Sequence, residues 1–348
     1  MNLTNLYDFE KEARNSMQLE HWTYVSAGAH DDQTLKRNES ALQDLSIYPR
    51  FLRDVTNRDL STTVLGQQIS FPVATAASGP WYYAHPDAEV AVAKAAERSG
   101  TISMQPTNAG TFSFAEVAAS TNSPLWLQLY HSDDEITEYL VTTAADHGCK
   151  AICLTIDIPI SGSLDPRLRS TGLLLPKLLQ DGNLRERPDL VDKYPKEGLR
   201  TLTWDRLEWL KSLTGLPLVL KGIRTVDDSI RAVDHGVDGI LVSTHGGRYL
   251  DGSSSAIEIL PQVYDAVGTQ IEVYMDSGIR RGTDVLKALA LGAQAVFIGR
   301  PVFWGLAVDG ENGVYSVLEI LRRELDMAMA FCGITRVPEI DGKILSWN

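Results

Sequence analysis

The sequence predicts an α/β fold: a (β/α)₈ TIM barrel with an N-terminal helical extension and a long lid loop after strand 4. Three observations carry that prediction. Eight short apolar runs rich in β-branched residues recur along the chain, most of them apolar on both faces, as buried parallel strands are. Between them lie helical patterns, several opening on Asp, Ser or Thr and closing on Gly. Such alternation implies right-handed crossovers and a parallel sheet, and eight units suit a closed barrel better than an open doubly wound sheet.

The candidate strands read PVATAA from Pro72, TISMQ from Thr101, LWLQLY from Leu125, AICLTID from Ala151, PLVLKG from Pro217, GILVST from Gly239, EVYMDS from Glu272 and AVFIGR from Ala295. The helical patterns are DAEVAVAKAAERSG, DDEITEYLVTTAADHG, TVDDSIRAVDHG, SAIEILPQVYDAVG and GTDVLKALALGA. Residues 1–65 form the extension. Residues 158–202, containing DPRLRSTG and LLQDGNLRERPD, are too long and polar for a simple connection. A loop of that length after a barrel strand is read as an active-site lid, its alternative being a solvated insertion. A last helix is expected around Val314 to Phe331. No linker rich in Pro, Gly or Ser interrupts the chain, so 1–348 is read as one domain.

Composition narrows the function classes. The 348 residues are 44% hydrophobic and 22% charged, which excludes a disordered or collagen-like chain. A formal net charge of −13 argues against nonspecific nucleic-acid binding or docking on anionic lipid. Three cysteines, Cys149, Cys153 and Cys332, build no disulfide framework and suit a reducing compartment. No apolar run approaches the roughly 18 residues of a spanning helix. The start, MNLTNLYDFEKEARNSM, carries acids where a signal peptide has its apolar core, so a cytoplasmic location is expected. No zinc-type spacing and no GxGxxG after the first strand are present, so neither a metal nor a Rossmann dinucleotide site is expected. His85 reads as a helix-start residue, and Cys149 and Cys153 as core.

In a barrel, reactive groups belong at the carboxyl ends of the strands. Those ends supply Gln128 and Tyr130, Asp157, Lys221, His245 with Arg248, Asp276 with Arg280, and Gly299 with Arg300. DSGIRRGTD after strand seven and GRP after strand eight suit an anion: glycines admit it, helix-start amides face it, and Arg280 and Arg300 add charged donors. The plainer alternative is tight turns with surface arginines. Lys221 serves equally as a Schiff-base lysine, a fixed cation beside an electron-rich ligand, or a buried ion-paired residue. In STHGGRYLD, His245 suits a base that takes a proton from an alcohol or an α-carbon, and Arg248 a carboxylate grip. Asp157 would orient the ring if it reaches it. A turn histidine is the bland alternative.

These segments resemble the FMN-dependent 2-hydroxy acid oxidases and dehydrogenases, the glycolate oxidase and lactate oxidase type, over about residues 6–340. VLKGI, VSTHGGRYLDG and DSGIRRGTDVLKALALGAQAVFIGRP carry the likeness. The resemblance implies FMN as cofactor, His245 as the base, Asp157 as its partner, and Tyr130 near the substrate hydroxyl. It implies Tyr24 and Arg248 as substrate-carboxylate contacts, and Lys221 as a fixed cation beside the flavin. Gln128, Thr155 and Ser243 resemble polar contacts to the ring and ribityl chain. Asp276, Ser277, Gly278, Arg280, Gly299 and Arg300 match the ribityl and phosphate site. The resemblance also implies that the Ser78-Gly79 turn lies near the flavin, and the family habit implies a homotetramer.

Four departures bear on the substrate. Ser163 and Leu164 stand where the family carries arginines, one of which grips the substrate carboxylate. Losing that clamp costs about 1.5–3 kcal/mol of binding unless Arg167 or Arg169 replaces it. The usual Pro-Thr-Ala-Met turn reads Ala77-Ser78-Gly79-Pro80, and the aromatic Trp81, Tyr82 and Tyr83 follow. Thr244 replaces the usual asparagine before His245. The leading expectation is oxidation of a 2-hydroxy acid to a 2-oxo acid with dioxygen as acceptor and peroxide as product. Alternatives are the same chemistry on a larger or carboxylate-free molecule, a non-redox phosphate-binding lyase or isomerase, and a flavin-binding scaffold without catalysis.

Overall fold

Trp126, Cys153, Val219, Leu241, Tyr274 and Phe297 come from six different strands and meet in one buried cluster. Their strand neighbours Leu127, Ile152, Leu218, Ile240, Val273 and Val296 instead join the cluster under the surrounding helices. This period-two alternation with both faces buried is why the strands are apolar throughout. The computed structural model describes residues 3–107, 109–159, 182–191 and 202–347.

The eight strands are Val73–Thr75, Ser103–Pro106, Leu125–Leu129, Ala151–Thr155, Leu218–Ile223, Gly239–Val242, Glu272–Met275 and Val296–Ile298. They pair in chain order, all parallel, and the eighth returns to the first, so the barrel closes. Three aromatic side chains meet among the aliphatic ones of the interior cluster. Trp126 meets Tyr274 edge-on at 5.7 Å and Phe297 at 5.4 Å between ring centroids. Such pairs add roughly 0.5–1.5 kcal/mol each beyond the area they bury.

Expected caps are present: Thr225 Oγ1 accepts from the Asp228 amide, and Ser255 with Glu258 forms a capping box. Two helices, Phe114–Ser120 and Arg206–Ser212, escaped the periodicity reading. Each spans seven residues, about two turns, too few for a 3.6-residue period to show. The last helix also differs from expectation. It begins at Arg300 and runs to Phe331, with a break at Asp309 and Gly310. Gly310 takes a positive φ of 49° against His85, whose Nε2 would lie 3.0 Å from an added Cβ. His85 itself sits ahead of helix Ala88–Arg98, where its Nδ1 accepts from the Asp87 amide.

The extension contains helices Leu6–Ser16, Leu19–Ser26 and Gln33–Gln43. Residue 65 falls in the turn of a hairpin, Thr62–Val64 with Gln67–Ile69, whose Val64 and Ile69 join the interior cluster. Leu45–Ile47 pairs with Leu345–Trp347, tying the extension to the chain's last strand. Of the expected lid, the described part holds Gly182–Leu184 and Pro188–Val191. Asn183 docks it: its Oδ1 accepts from the Phe114 amide, and its Nδ2 donates to the carbonyls of Pro106 and Thr107. Ser163, Leu164, Arg167 and Arg169 lie outside the described residues. Among those residues no helix is long and apolar enough to cross a membrane.

Candidate active site

The alternation that packs the barrel also builds its mouth. Two residues beyond Trp126 comes Gln128, two beyond Cys153 comes Thr155, and two beyond Val219 comes Lys221. Gln128 Nε2 donates to Thr155 Oγ1 at 3.0 Å, and Thr155 lies in register with Lys221 across the sheet. All three are buried. Asp157, Ser243, His245, Asp276 and Gly299 continue the same spacing past their strand ends.

Asp157, His245 and Lys221 form one cluster. Asp157 Oδ1 lies 2.9 Å from Nδ1 of His245, and Lys221 Nζ lies 3.1 Å from the same nitrogen. Nδ1 cannot both donate and accept. With its proton on Nδ1 the ring donates to Asp157, and the ammonium faces Asp157 Oδ2 at 3.8 Å and Asp276 Oδ2 at 4.0 Å. That tautomer leaves Nε2 as the basic atom. Burial favours the neutral ring and the Lys221 cation adds to this, so the His245 pKa falls below its ordinary value although Asp157 pulls it up. Burial works to raise the Asp157 pKa, but Lys221 and His245 overcome it and hold the carboxyl at about 2. The result is an ionised carboxylate beneath a neutral imidazole, the pairing a general base needs.

Two features of this cluster were not read from the sequence. The fifth strand carries a register irregularity between Lys221 and Ile223, and the intervening Gly222 has φ 109°. This bulge makes room for the Asp157 side chain, which would lie 2.6 Å from a Cβ at Gly222. Tyr249 meets the His245 ring edge-on at 4.7 Å, and burial pushes its hydroxyl up to about 12. The glycine stood in the quoted VLKGI segment, but nothing in its neighbours announces a bulge.

Tyr24 and Arg248 come together as expected. The Arg248 guanidinium lies 4.7 Å above the Tyr24 ring, and its Nη1 donates to the carbonyls of Tyr24 and Ala27. Tyr24 Oη reaches the Gly79 carbonyl at 3.4 Å and meets Tyr83 edge-on. The aromatic first loop therefore lies beside the expected carboxylate grip. Tyr130 follows the third strand directly and is half-buried. Ser78 Oγ donates to the Ala76 carbonyl, and a Cβ at Gly299 would lie 3.1 Å from Ser78 Oγ.

The arginines are more committed than the sequence implied. Arg300 donates from Nε to Val25, from Nη1 to Gly246 and from Nη2 to Ala27, all backbone carbonyls. Burial, then the nearby cations of Arg248 and Arg280, push its pKa down to about 9. Arg280 pairs through Nη2 with Glu39 at 2.8 Å and lies over the Trp304 ring. Ser277 adopts φ 74° and its Oγ, which donates to Asp276 Oδ1, accepts from the Thr244 and Gly246 amides.

Comparison with known proteins agrees with this geometry. Residues 13–347 match the family described as FMN-dependent dehydrogenase. The chain is 42% identical over 360 residues to 2-hydroxyacid oxidase 1 of Mus musculus, covering 99% of this chain and 97% of that one. It is 43% identical over 357 residues to L-lactate oxidase of a Nostoc species, covering 98% and 97%. Among solved structures, an Arg-to-Leu variant of mandelate oxidase with 2-hydroxy-phenylacetamide matches at a TM-score of 0.91 and 38% identity, covering 99% and 98% of the two chains. A soluble mutant of the membrane-associated (S)-mandelate dehydrogenase from Pseudomonas putida matches at 0.95 and 31% identity, covering both chains fully.

The residues present fit FMN. Gln105 Oε1 is buried without a donor, the acceptor that a flavin ring N–H requires. Arg280 Nε is buried without an acceptor at the expected phosphate end, and the buried Lys221 side chain is a cation of the kind that would stabilise a ring gathering negative charge. A family match over nearly the whole chain, a parallel eight-stranded barrel and a donor set suited to the flavin agree: this chain belongs to the FMN-dependent dehydrogenase family that contains the 2-hydroxy acid oxidases.

Proposed function

We propose that the protein oxidises the α-carbon of a 2-hydroxy acid to a 2-oxo acid, with dioxygen as final acceptor and hydrogen peroxide as co-product. The observation that carries this reading is the part-buried His245–Asp157 pair, 2.9 Å apart, at the mouth of the barrel. FMN, when bound, supplies the two-electron acceptor. His245 Nε2 takes a substrate proton, and Asp157 fixes the tautomer and stabilises the imidazolium that results. Arg248 and Tyr24 bind the substrate carboxylate, and Tyr130 addresses the hydroxyl. Gln128, Thr155, Lys221, Ser243, Asp276 and Ser277 hold the ring and ribityl chain, with Ser78 and Gly79 beside them. Gly278, Arg280, Gly299 and Arg300 border the phosphate.

The test is His245→Gln. The variant should stay yellow and lose substrate reduction of the flavin under nitrogen; retained turnover refutes the role.

One observation favours a second substrate reading. Ser163 and Leu164 stand where the resemblance places arginines, one of which would grip the substrate carboxylate, and a mandelate oxidase carrying leucine for an arginine has been solved with an amide, 2-hydroxy-phenylacetamide. The aromatic Tyr24 and Tyr83 beside Arg248 would suit a larger substrate lacking the free carboxylate. Anaerobic bleaching with L-lactate, glycolate and (S)-mandelate against their amides and esters separates the two. Preference for plain lactate or glycolate removes the second.

Homotetrameric assembly and a cytoplasmic location belong to the same proposal. Exposed Tyr48, Phe51, Leu52, Phe331 and Trp347 on or beside the strand pair that joins the extension to the chain's last strand support association. Sedimentation and cell fractionation check the two points.

A further inference from the structure

The turn that carries His245 is built against a helix from outside the barrel. Helix Gln33–Gln43 presses on it so closely that a Cβ at Gly247 would lie 2.5 Å from the Leu35 amide nitrogen. The Gly247 carbonyl accepts from the Ala29 amide at 2.8 Å. From this helix Asn38, 2% exposed, reaches Thr244, 4% exposed. The pair is reciprocal: Asn38 Nδ2 donates to Thr244 Oγ1 at 2.9 Å, and Thr244 Oγ1 donates to Asn38 Oδ1 at 3.1 Å. One buried hydroxyl thus uses both its donor and an acceptor site on a single amide.

Thr244 immediately precedes His245, which adopts φ 53°. A non-glycine residue in the left-handed region stays there only where its surroundings hold it. Barrel-side contacts hold the turn's backbone: Ser277 Oγ accepts from the Thr244 and Gly246 amides, and Ser243 Oγ accepts from the His245 amide at 3.0 Å. None of these grips a side chain of the turn. Asn38 does, through the Thr244 hydroxyl.

We infer that Asn38 is a positioning residue for His245: through the Thr244 hydroxyl it holds the turn so that the imidazole stays aligned on Asp157. The inference rests on His245 acting as the base. It also accounts for the extension, whose helix Gln33–Gln43 contributes to the catalytic geometry without touching substrate. The serine contacts persist when the amide is removed, so the turn keeps its fold and loses its precision.

The experiment uses the holoenzyme and the variants Asn38→Ala, Thr244→Val and Thr244→Ser. Histidine-labelled NMR titration reports the His245 ring directly. Flavin reduction under nitrogen is followed with L-lactate, (S)-mandelate and 2-hydroxy-phenylacetamide, beside Tm and bound FMN. For Asn38→Ala and Thr244→Val we expect the ring to titrate at still lower pH than in wild type, as alignment on Asp157, whose hydrogen bond and charge raise its pKa, slackens. Reduction at saturating donor should slow about 10- to 100-fold, as a misplaced catalytic group does, while donor affinity changes less than about threefold. Tm and FMN content should stay near wild type, and Thr244→Ser, which keeps the hydroxyl, should retain both rate and titration. A wild-type titration and rate in Asn38→Ala overturns the inference, as does a loss that merely follows Tm or FMN content. The two readings fail separately. Turnover by His245→Gln removes the base, whereas an inactive His245→Gln beside a fully active Asn38→Ala removes only the positioning role.

Discussion

A Cβ at Gly222 would lie 2.6 Å from Cβ and 2.8 Å from Cγ of Asp157, so the carboxylate beneath the histidine occupies the space that this glycine leaves open. The position also has φ 109°, where any L side chain is strained. Gly222→Ala should therefore displace Asp157 and slow flavin reduction by about 100-fold or more, since misplacing a catalytic group by an ångström costs that much. A melting point several degrees lower should accompany it. Wild-type reduction rates in this variant would show that Asp157 does not need this seat.

The His245 ring is held neutral chiefly by burial and then by Lys221, with its pKa below the ordinary histidine value. A base works when unprotonated, so kcat/KM should rise with pH through that lowered pKa and then level off. In Asp157→Asn the one nearby group shown to hydrogen-bond the ring and raise its pKa is neutralised. The acid limb should move to still lower pH, while the plateau rate falls on the order of 100-fold or more as tautomer control is lost. An acid limb that moves upward in this variant would contradict the assigned electrostatics.

Arg300 satisfies the Val25, Ala27 and Gly246 carbonyls from three different nitrogens. Lysine offers one compact ammonium and cannot span them. Arg300→Lys should cost on the order of 3 kcal/mol in denaturant unfolding, because buried carbonyls lose their donors. It should loosen the histidine turn as well, since Gly246 is one of the three. Stability within about 0.5 kcal/mol of wild type, the range of an ordinary surface substitution, would sink the strut role.

Glu89 is buried on the helix after the first strand and unused by the chemistry. Its Oε2 accepts from the Thr111 and Phe112 amides, while Oε1 has no partner. Burial, opposed by those amides, pushes its pKa up to about 7 from 4.5. A raised folded-state carboxyl pKa means the folded form holds its proton more tightly. Stability should fall as pH rises from about 4.5 to about 7 and change little above that. Glu89→Gln keeps an amide oxygen for the two donors and removes the charge. Its melting point should gain on wild type as pH rises from 5 to 8; a constant difference across that range would disprove the account.

The barrel was legible because its cause is local. Residues such as Trp126 and Leu127, or Val219 and Leu218, face opposite ways along one strand, and both faces are covered, so each strand is written in the sequence as an apolar run. Most of the mouth was legible for the same reason: Gln128, Thr155 and Lys221 continue the inward-facing phase of their strands. Asp157 and His245 stood at predicted strand ends, and their 2.9 Å contact follows once those ends close into a ring. The hairpin at 62–69 was missed because three-residue strands are too short to show a period.

What the chain alone determined was the succession of strands and helices and the chemical identity of the groups at the strand ends, since both depend on spacing along a single segment. Tertiary structure alone decided that Gly222 must be bare, that Asn38 grips the residue before His245, and that Arg300 spends its donors on backbone carbonyls. Each of these is a contact between segments far apart in the chain. Only closure of the barrel and docking of the extension bring them within reach.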